Sequence, residues 1–231
     1  RRKEIVFAGQ AEYPPFEYIG DNGEYTGMGI ELVRWMATEF GFKASFRPGN
    51  FNEALSAVKE GRADASTGLF YSDERDAYLD FSSRVYTVPA VIFVKAERPD
   101  IHDLRGLTDK TIAVPRADYA ADYLRKTGMP HSIKYTATFQ EAANLVMREE
   151  ADALIGDEQP VLYYLYSRRL TSQLKRVGEP LYVGNDCLGV RNGDTVLLGI
   201  LEKGLNQARE RGVLDLLQKK YIGTYFPDKR G

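Results

Sequence analysis

The sequence predicts an α/β fold with two similar lobes, because one segment is repeated and strand patterns alternate with helix patterns. Residues 51–68 read FNEALSAVKEGRADASTG and residues 139–156 read FQEAANLVMREEADALIG, with identical residues at eight of eighteen positions. Each copy is typical of an amphipathic helix, a short turn and a small-residue strand. Strands that alternate with helices favour parallel sheets with crossover helices.

The first lobe is predicted to begin with a short apolar strand at residues 4–9. Residues 21–23 read Asp-Asn-Gly, which predicts a tight hairpin because Asn-Gly accepts positive φ. A helix is expected over residues 30–40, where apolar residues recur at helical spacing before Gly41. A strand at residues 43–47 then leads into the first repeat.

The second lobe is predicted to open with a buried strand at residues 111–114 and a helix at residues 118–126. In the second repeat, Thr138 and Glu141 are spaced as a capping box, in which each side chain satisfies a free N–H at the helix start. The remaining predicted helices are residues 194–211 and 213–220.

Two extended apolar runs, residues 88–95 and 181–190, are predicted to cross between the lobes, one outward and one back. The first lobe then consists of residues 1–90 and 185–231, and the second of residues 91–184. Hinges between lobes are commonly formed by paired extended connections.

Composition and charge exclude several classes of function. The 231 residues carry a net charge of −2, with mixed acidic and basic residues, so no general attraction to nucleic acid is expected. Cys187 is the single cysteine, which excludes an internal disulfide and suggests a small buried side chain. No apolar run approaches the length of a membrane span. The chain opens on basic residues without an initiator Met, so we expect a processed product or a piece of a longer protein.

Motifs for cofactors and metals are missing from the sequence. It contains no Walker phosphate loop, no G-x-S-x-G and no C-x-x-C. Neither His102 nor His131 has a carboxylate or Cys at metal-ligand spacing. We therefore expect neither a cofactor nor a metal.

The candidate site follows the strands that end the two repeats, because ligands bind beyond the carboxyl ends of parallel strands. After Gly68 the chain reaches Ser72 and Arg75, and after Gly156 it reaches Asp157. The fork of an arginine suits a carboxylate, which the Ser72 hydroxyl can help to hold. Asp157 suits an ammonium group. Opposite charges on the two walls of a cleft would bind a zwitterion.

Local roles remain open for both charged residues. Arg75 can instead form a local contact, for instance with Asp80. Asp157 can instead cap the helix that starts near Gln159.

Aromatic residues near the strand ends are further candidates for ligand contact. Tyr13 and Phe16 follow the first strand and flank two prolines. Tyr13 can present its ring to a ligand, whereas Phe16 is as consistent with core packing. Phe51, Phe70 and Tyr119 are additional candidates, but for each of them a place in the core or at the rim is favoured over ligand contact.

The order of several short motifs resembles the bacterial extracellular solute-binding proteins of the family that includes the polar amino acid binders of ABC transporters. The resemblance covers nearly the whole chain. Its motifs are Tyr13-Pro14-Pro15-Phe16, Tyr25-Thr26-Gly27-Met28-Gly29, Gly61-Arg62-Ala63-Asp64, Ser72-Asp73-Glu74-Arg75, Asp80-Phe81-Ser82 and Ala151-Asp152-Ala153, followed by Asp157.

This resemblance implies a type II periplasmic-binding-protein-like fold, a two-lobed Venus flytrap with a ligand cleft and two hinge strands. It further implies that Arg75 holds a ligand α-carboxylate, that Asp157 holds an α-ammonium group and that Tyr13 covers the ligand side chain. The full set of candidate ligand-binding residues is Tyr13, Phe16, Phe51, Gly68, Phe70, Ser72, Arg75, Asp118 and Asp157.

The chain departs from the family pattern near the expected carboxylate. Ala117-Asp118 stands where the amino acid binders usually have Gly-Thr or Gly-Ser. An Asp there would repel a bound carboxylate unless it points away or is protonated. Phe70 replaces a residue that is often a small hydroxyl side chain, and Arg84 one that is often Pro. The expected ligand is therefore an amino acid-like or carboxylate solute.

Residues 68–72 and 91–94 resemble the versions of this family found as extracytoplasmic sensor domains of histidine kinases and diguanylate cyclases. We therefore expect a periplasmic sensor domain, not itself an enzyme, joined to a membrane signalling module. One alternative is a free periplasmic protein that delivers an amino acid to an ABC permease. A second is an enzyme similar to cyclohexadienyl dehydratase, with Glu158 or Asp118 as the general acid.

Overall fold

The computed structural model describes residues 4–116 and 118–223 of the chain, without the side chains of residues 222 and 223. Ala117 and residues 1–3 and 224–231, which carry some of the sequence expectations, lie outside the described residues. The described chain up to Thr87 and from Asn185 onward forms one compact unit, and Val88–Gly184 forms another.

The strands and helices are short and mostly alternate. The strands are β1 Glu4–Gln10, β2 Glu12–Tyr13, β3 Glu17–Ile19, β4 Tyr25–Thr26, β5 Lys43–Gly49, β6 Ala65–Ser66, β7 Leu69–Phe70, β8 Leu79–Phe81, β9 Tyr86–Lys95, β10 Lys110–Pro115, β11 His131–Thr136, β12 Ala153–Asp157, β13 Leu174–Cys187 and β14 Gly189–Arg191. The helices are α1 Met28–Phe40, α2 Phe51–Lys59, α3 Asp73–Asp76, α4 Ala120–Thr127, α5 Phe139–Met147, α6 Glu158–Ser167, α7 Thr195–Glu210 and α8 Val213–Gln218, with a 3₁₀ turn at Leu104–Leu107 and a π turn at Lys219–Gly223.

The first unit contains a five-stranded sheet in the order β5-β1-β6-β14-β8. Strand β1 runs parallel to β5 and β6, so the carboxyl ends of β1 and β6 reach the same edge. The segments that follow this edge contain Tyr13 and Gly68. Helix α1 packs through its apolar stripe and ends where Gly41 adopts a left-handed φ of 66°. The predicted Asn-Gly hairpin is present between β3 and β4.

The second unit contains strands in the order β11-β10-β12-β9, with β10 parallel to β11 and β12. Strand β9 is antiparallel to β12 and is buried on both faces. Phe93 packs toward α5 and α6, whereas Ile92 packs toward α4, because successive side chains of a strand point to opposite faces. The parallel edge again brings strand ends and their following loops together.

The internal repeat is the same structural unit used twice. In each copy a nine-residue helix leads into a strand that pairs parallel with the first parallel strand of its unit, β1 or β10. Small residues at matching places, such as Ala54 and Ala142, let the helices pack close to their sheets. The prediction that each copy forms a helix followed by a strand is confirmed.

The predicted capping box at the second repeat is only half formed. Thr138 accepts the Glu141 N–H at 3.2 Å, but the Glu141 carboxylate accepts the N–H of Ala137 rather than that of Thr138. The complete box lies at the first repeat instead, where Asn50 and Glu53 each accept the backbone N–H of the other. Asparagine is an equally good N-cap residue, so Asn50 and Glu53 also have the spacing of a capping box.

Strands β9 and β13 carry the chain from one unit to the other and back. The return strand begins at Leu174, earlier than predicted, and ends at Cys187. It stops there because Leu188 exchanges two hydrogen bonds with Ser82, at 2.8 and 2.9 Å, instead of continuing the ladder. Among residues 4–116 and 118–223, no helix combines the length and apolar character needed to cross a membrane.

Candidate functional site

The Arg75 side chain is held by two contacts inside the first unit. Its guanidinium donates a hydrogen bond from Nη1 to the carbonyl oxygen of Phe70 at 2.6 Å. It also lies 4.8 Å from the centre of the Phe51 ring, within range of a cation–π attraction. The Ser72 hydroxyl oxygen caps helix α3 by accepting the Arg75 N–H at 3.3 Å. Four of the predicted ligand-binding residues therefore lie together.

The Arg75 guanidinium has no carboxylate within ion-pair distance in the described ranges 4–116 and 118–223. A local ion pair with Asp80 is not formed, because the Asp80 carboxylate accepts the Gly193 N–H at 2.8 Å. Burial lowers the pKa of Arg75, as expected for a cation that is partly removed from water.

Gly68 lies against the carboxylate of Asp186, a residue that the sequence analysis did not select. A Cβ on Gly68 would stand 2.8 and 2.9 Å from the two carboxylate oxygens. Asp186 is 7% exposed, and it is the backbone partner of Phe70 where β13 pairs with β7. A buried carboxylate thus borders the segment that carries Arg75. An acidic residue inside the apolar run 181–190 is the signal that identifies it in the sequence.

Tyr13 and Phe16 belong to a separate aromatic group within the first unit. Their ring centroids are 5.3 Å apart, and the Phe16 ring is 5.7 Å from that of Tyr86. Phe16 is 3% exposed, so little of its ring is left for a ligand. Tyr13 is partly exposed. Of the two rings, that of Tyr13 is the more exposed to solvent.

Glu17 is a buried carboxyl in the first unit that the sequence analysis missed. It is 2% exposed, and its partners are the Gln10 N–H and the Thr67 hydroxyl. Burial raises the pKa of Glu17 to about 7, and the hydrogen bonds lower it by less. Its neighbours Phe16 and Tyr18 predict an outward-facing Glu by strand alternation, so no local signal marks it as buried.

Asp157 ends strand β12 and occupies the N-cap position of α6 in the second unit, with 3% exposure. Its side chain makes no capping hydrogen bond, so the alternative that it merely caps this helix is wrong. Burial and then the charges of Asp118 and Asp157 raise the pKa of the Tyr182 phenol. The charges of Asp118 and Asp157 therefore both raise the pKa of the same phenol, that of Tyr182.

The Asp118 carboxylate is held in a fixed orientation just before α4. Its Oδ1 accepts the Ala120 N–H at 2.7 Å and the Tyr182 hydroxyl at 3.1 Å. The rings of Tyr119 and Tyr123 lie 5.1 and 5.2 Å from that of Tyr182. Burial raises the pKa of Asp118, which favours its neutral form. Tyr182 was missed because its partner Asp118 is distant in the sequence.

Glu158, the other carboxyl considered as a general acid, is engaged in the second unit. Its Oε1 lies 2.7 Å from Nη1 of Arg176, with both side chains largely buried. Among residues 4–116 and 118–223, no group of three His, Cys, Asp or Glu side chains is placed to hold a metal ion. Cys187 is buried, as its single occurrence suggested.

A pocket of about 320 Å³ in the second unit lies away from all the predicted residues. Its charged lining is already paired, with Lys95 2.7 Å from Glu149 and Arg98 2.6 Å from Asp152. Charges that are matched within the protein gain little from a charged ligand. The candidate site is therefore better placed at the strand ends.

Comparison with known proteins supports the resemblance in the sequence. The model of the bacterial extracellular solute-binding proteins, family 3, matches residues 5–224. The L-cystine-binding protein TcyJ of Bacillus subtilis is 24% identical over 98% of this chain and 87% of its own length.

Solved structures agree with the same fold. A histidine kinase sensor domain with similarity to periplasmic binding proteins is 30% identical, with a TM-score of 0.88 over 96% of this chain and 97% of its own. An ancestral arginine-binding protein, solved with arginine or glutamine bound, is 26% identical, with TM-scores of 0.86 and 0.85 over 96% of this chain and 99% of its own. The fold is thus the two-lobed type II periplasmic-binding-protein fold.

Proposed function

Because the chain belongs to family 3 of the bacterial extracellular solute-binding proteins, we propose that it is an extracytoplasmic domain that binds an amino acid-like or small carboxylate solute. The observation that carries this proposal is the Arg75 guanidinium, which is partly buried, fixed by Phe70 and without an ion pair in the described chain. No catalytic step is proposed.

Arg75 is assigned to the ligand carboxylate. One donor, Nη1, is used by the Phe70 carbonyl, and the remaining N–H groups of the fork can donate to an anion. The contact with the Phe51 ring fixes the plane of the guanidinium, so little side-chain freedom is lost when the anion binds. Local preorganisation of this kind favours a planar, two-oxygen ligand group.

Asp157 in the second unit is assigned to a ligand ammonium group. It stands at the end of β12, directly after Gly156 of the second repeat, whereas Arg75 stands seven positions after Gly68 of the first. The raised pKa of Asp118 favours its neutral form. A neutral Asp118 would not repel a bound carboxylate, which was the difficulty with an Asp at this position of the family pattern. The assignment of Asp157 rests on the family resemblance and on the charge of its carboxylate.

We assign the domain to a membrane signalling protein of the histidine kinase type, located in the periplasm. The likeness to a histidine kinase sensor domain at 30% identity supports this. A free binding protein of an ABC transporter is the alternative, which the relative that binds L-cystine favours. The complete gene separates them, because a membrane span and kinase module after residue 231 would exclude a free transport protein.

A thermal-shift screen tests the binding function. Amino acids and small organic acids, including L-arginine and L-glutamine, are added to the wild-type domain, and a ligand of the native state raises Tm. Arg75→Ala should lose the shift from every carboxylate ligand. Arg62→Ala is the matched control, because Arg62 is an exposed arginine of the same unit that pairs with Glu60. Equal shifts in both variants would contradict the role of Arg75.

A further inference from the structure

Glu17 joins the ends of two parallel strands within the first unit. Its Oε1 accepts the Gln10 N–H at 2.8 Å, at the end of β1. Its Oε2 is hydrogen-bonded to the hydroxyl of Thr67, which follows β6 and immediately precedes Gly68. One buried carboxyl therefore connects the end of β1 with Thr67, the residue before Gly68.

The fold leaves room for this carboxyl at Gly9. A Cβ on Gly9 would overlap the Thr67 hydroxyl and would crowd the Tyr25 hydroxyl and Oε2 of Glu17. The Tyr25 phenol of β4 is the titratable group that faces the carboxyl, and the groups supplied by Gln10 and Thr67 are neutral. The cluster thus holds one acid among neutral partners in a space that any larger residue at position 9 would fill.

The Thr67 hydroxyl has one hydrogen and two acceptors within reach. One is the Ala8 carbonyl oxygen at 3.2 Å, and the other is Oε2 of Glu17. If Glu17 is ionised, Thr67 must donate to the carboxylate and cannot also donate to Ala8. If Glu17 is protonated, its O–H donates to Thr67, and Thr67 is free to donate to Ala8. The Gln10 bond to Oε1 persists in both forms.

The neutral carboxyl is therefore the form that lets the Thr67 hydroxyl bond to both Glu17 and Ala8. An ionised carboxylate would be left nearly without water and without a cation among the partners described above. Burial raises the pKa of Glu17 to about 7, so its protonation changes near neutral pH.

We propose that Glu17 is a positioning residue of the ligand site, whose protonated carboxyl orients the Thr67 hydroxyl and so adds a second bond from Thr67 to Ala8 beside Gly68. This inference rests on the proposed function, because Gly68 matters only if a ligand binds there. Ionisation would weaken carboxylate binding in two ways. It would leave Thr67 with only its backbone N–H bond to the Ala8 carbonyl, at 2.9 Å, and it would place a negative charge beside Thr67, the residue before Gly68.

The first test follows the Gly68 amide by NMR in the ligand-free domain from pH 5.5 to 8.5. The wild-type resonance should shift with a midpoint near pH 7. In Glu17→Gln the Gly68 resonance should stay constant. The new side-chain amide at position 17 does not titrate, and it donates to Thr67 and accepts from Gln10 as the protonated acid does. His102 and His131 are present in both proteins, so a titration that comes from either histidine would appear in both. A constant wild-type resonance, or one that still titrates in Glu17→Gln, would overturn the inference.

The second test measures the Kd of L-arginine and L-glutamine at pH 6 and pH 8. If only the protonated form is competent, the wild-type Kd should rise about tenfold over this range, and the Kd of Glu17→Gln should not change. A purely structural Glu17 would not produce this pH profile. A wild-type Kd that is constant with pH while Gly68 titrates would overturn the positioning role. If neither amino acid binds at any pH while Gly68 still titrates, the positioning role is overturned for these two ligands, and the thermal-shift screen with other carboxylates decides the proposed function separately.

Discussion

The Arg75 guanidinium donates to the carbonyl oxygen of Phe70 at 2.6 Å, and this bond joins α3 to strand β7. The bond fixes the Arg75 cation in the segment that follows the first repeat. The second repeat is followed instead by the buried Asp157. The two copies share their scaffold and differ in the charge that follows it.

Replacing Arg75 with Lys should weaken binding of carboxylate ligands by about tenfold or more, since lysine keeps the charge but loses the fork. A single ammonium group cannot reproduce both the Phe70 bond and a two-point contact with a carboxylate. Calorimetric titration measures the change, with Arg62→Lys as the exposed control. An unchanged Kd for Arg75→Lys would show that charge alone suffices.

Asp157→Asn should weaken ligands that carry an α-ammonium group more than matched acids that lack it. The substitution keeps the shape of the side chain and removes its charge, so only the attraction for a cation is lost. Pairs such as L-glutamate and glutarate, titrated side by side, measure the selectivity. If both members of a pair lose the same affinity, Asp157 has a structural role.

Glu17 should make the domain less stable as the pH rises. Its pKa is raised from 4.5 to about 7, so between these values the folded state keeps a proton that the unfolded chain has lost. The free energy of unfolding contributed by Glu17 is therefore fully present below pH 4.5 and is lost as the pH approaches 7, by up to about 3 kcal/mol. Urea unfolding at pH 5 and pH 8 should show a smaller decline in Glu17→Gln than in wild type. Equal declines in the free energy of unfolding of the two proteins would contradict a buried, protonated Glu17.

Tyr182→Phe should lower the free energy of unfolding by about 1 kcal/mol, because Asp118 loses a hydrogen-bond donor while the ring packing remains. The ring contacts with Tyr119 and Tyr123 do not need the hydroxyl. Chemical denaturation measures the effect. Tyr135→Phe, at an exposed tyrosine of the same unit, should be nearly neutral, and an equal loss in both variants would argue against the Asp118 bond.

The sequence predicted the features that depend on local pattern. The repeat located α2 and α5, and helical spacing with Gly41 located α1 to within two residues at its start. The position of Arg75 after a strand could be read directly from the chain, because its partners Phe70 and Ser72 are near neighbours.

The features that were missed depend on contacts between distant residues. Glu17 is buried because Thr67 and Gln10 satisfy it, and its aromatic neighbours Phe16 and Tyr18 give no local sign of this burial. Tyr182 lies 64 residues from its partner Asp118. Pairings of this kind are decided by tertiary packing, which a single sequence does not encode in any local window.

Calorimetric titration of wild type and Arg75→Ala, with whichever carboxylate gives the largest thermal shift, tests the central claim most directly. Loss of one side of a desolvated charge pair should weaken the complex by about 2 kcal/mol or more, which is at least about thirtyfold in Kd. An unchanged Kd in an Arg75→Ala protein that still unfolds cooperatively would contradict the assignment of Arg75 to the ligand carboxylate.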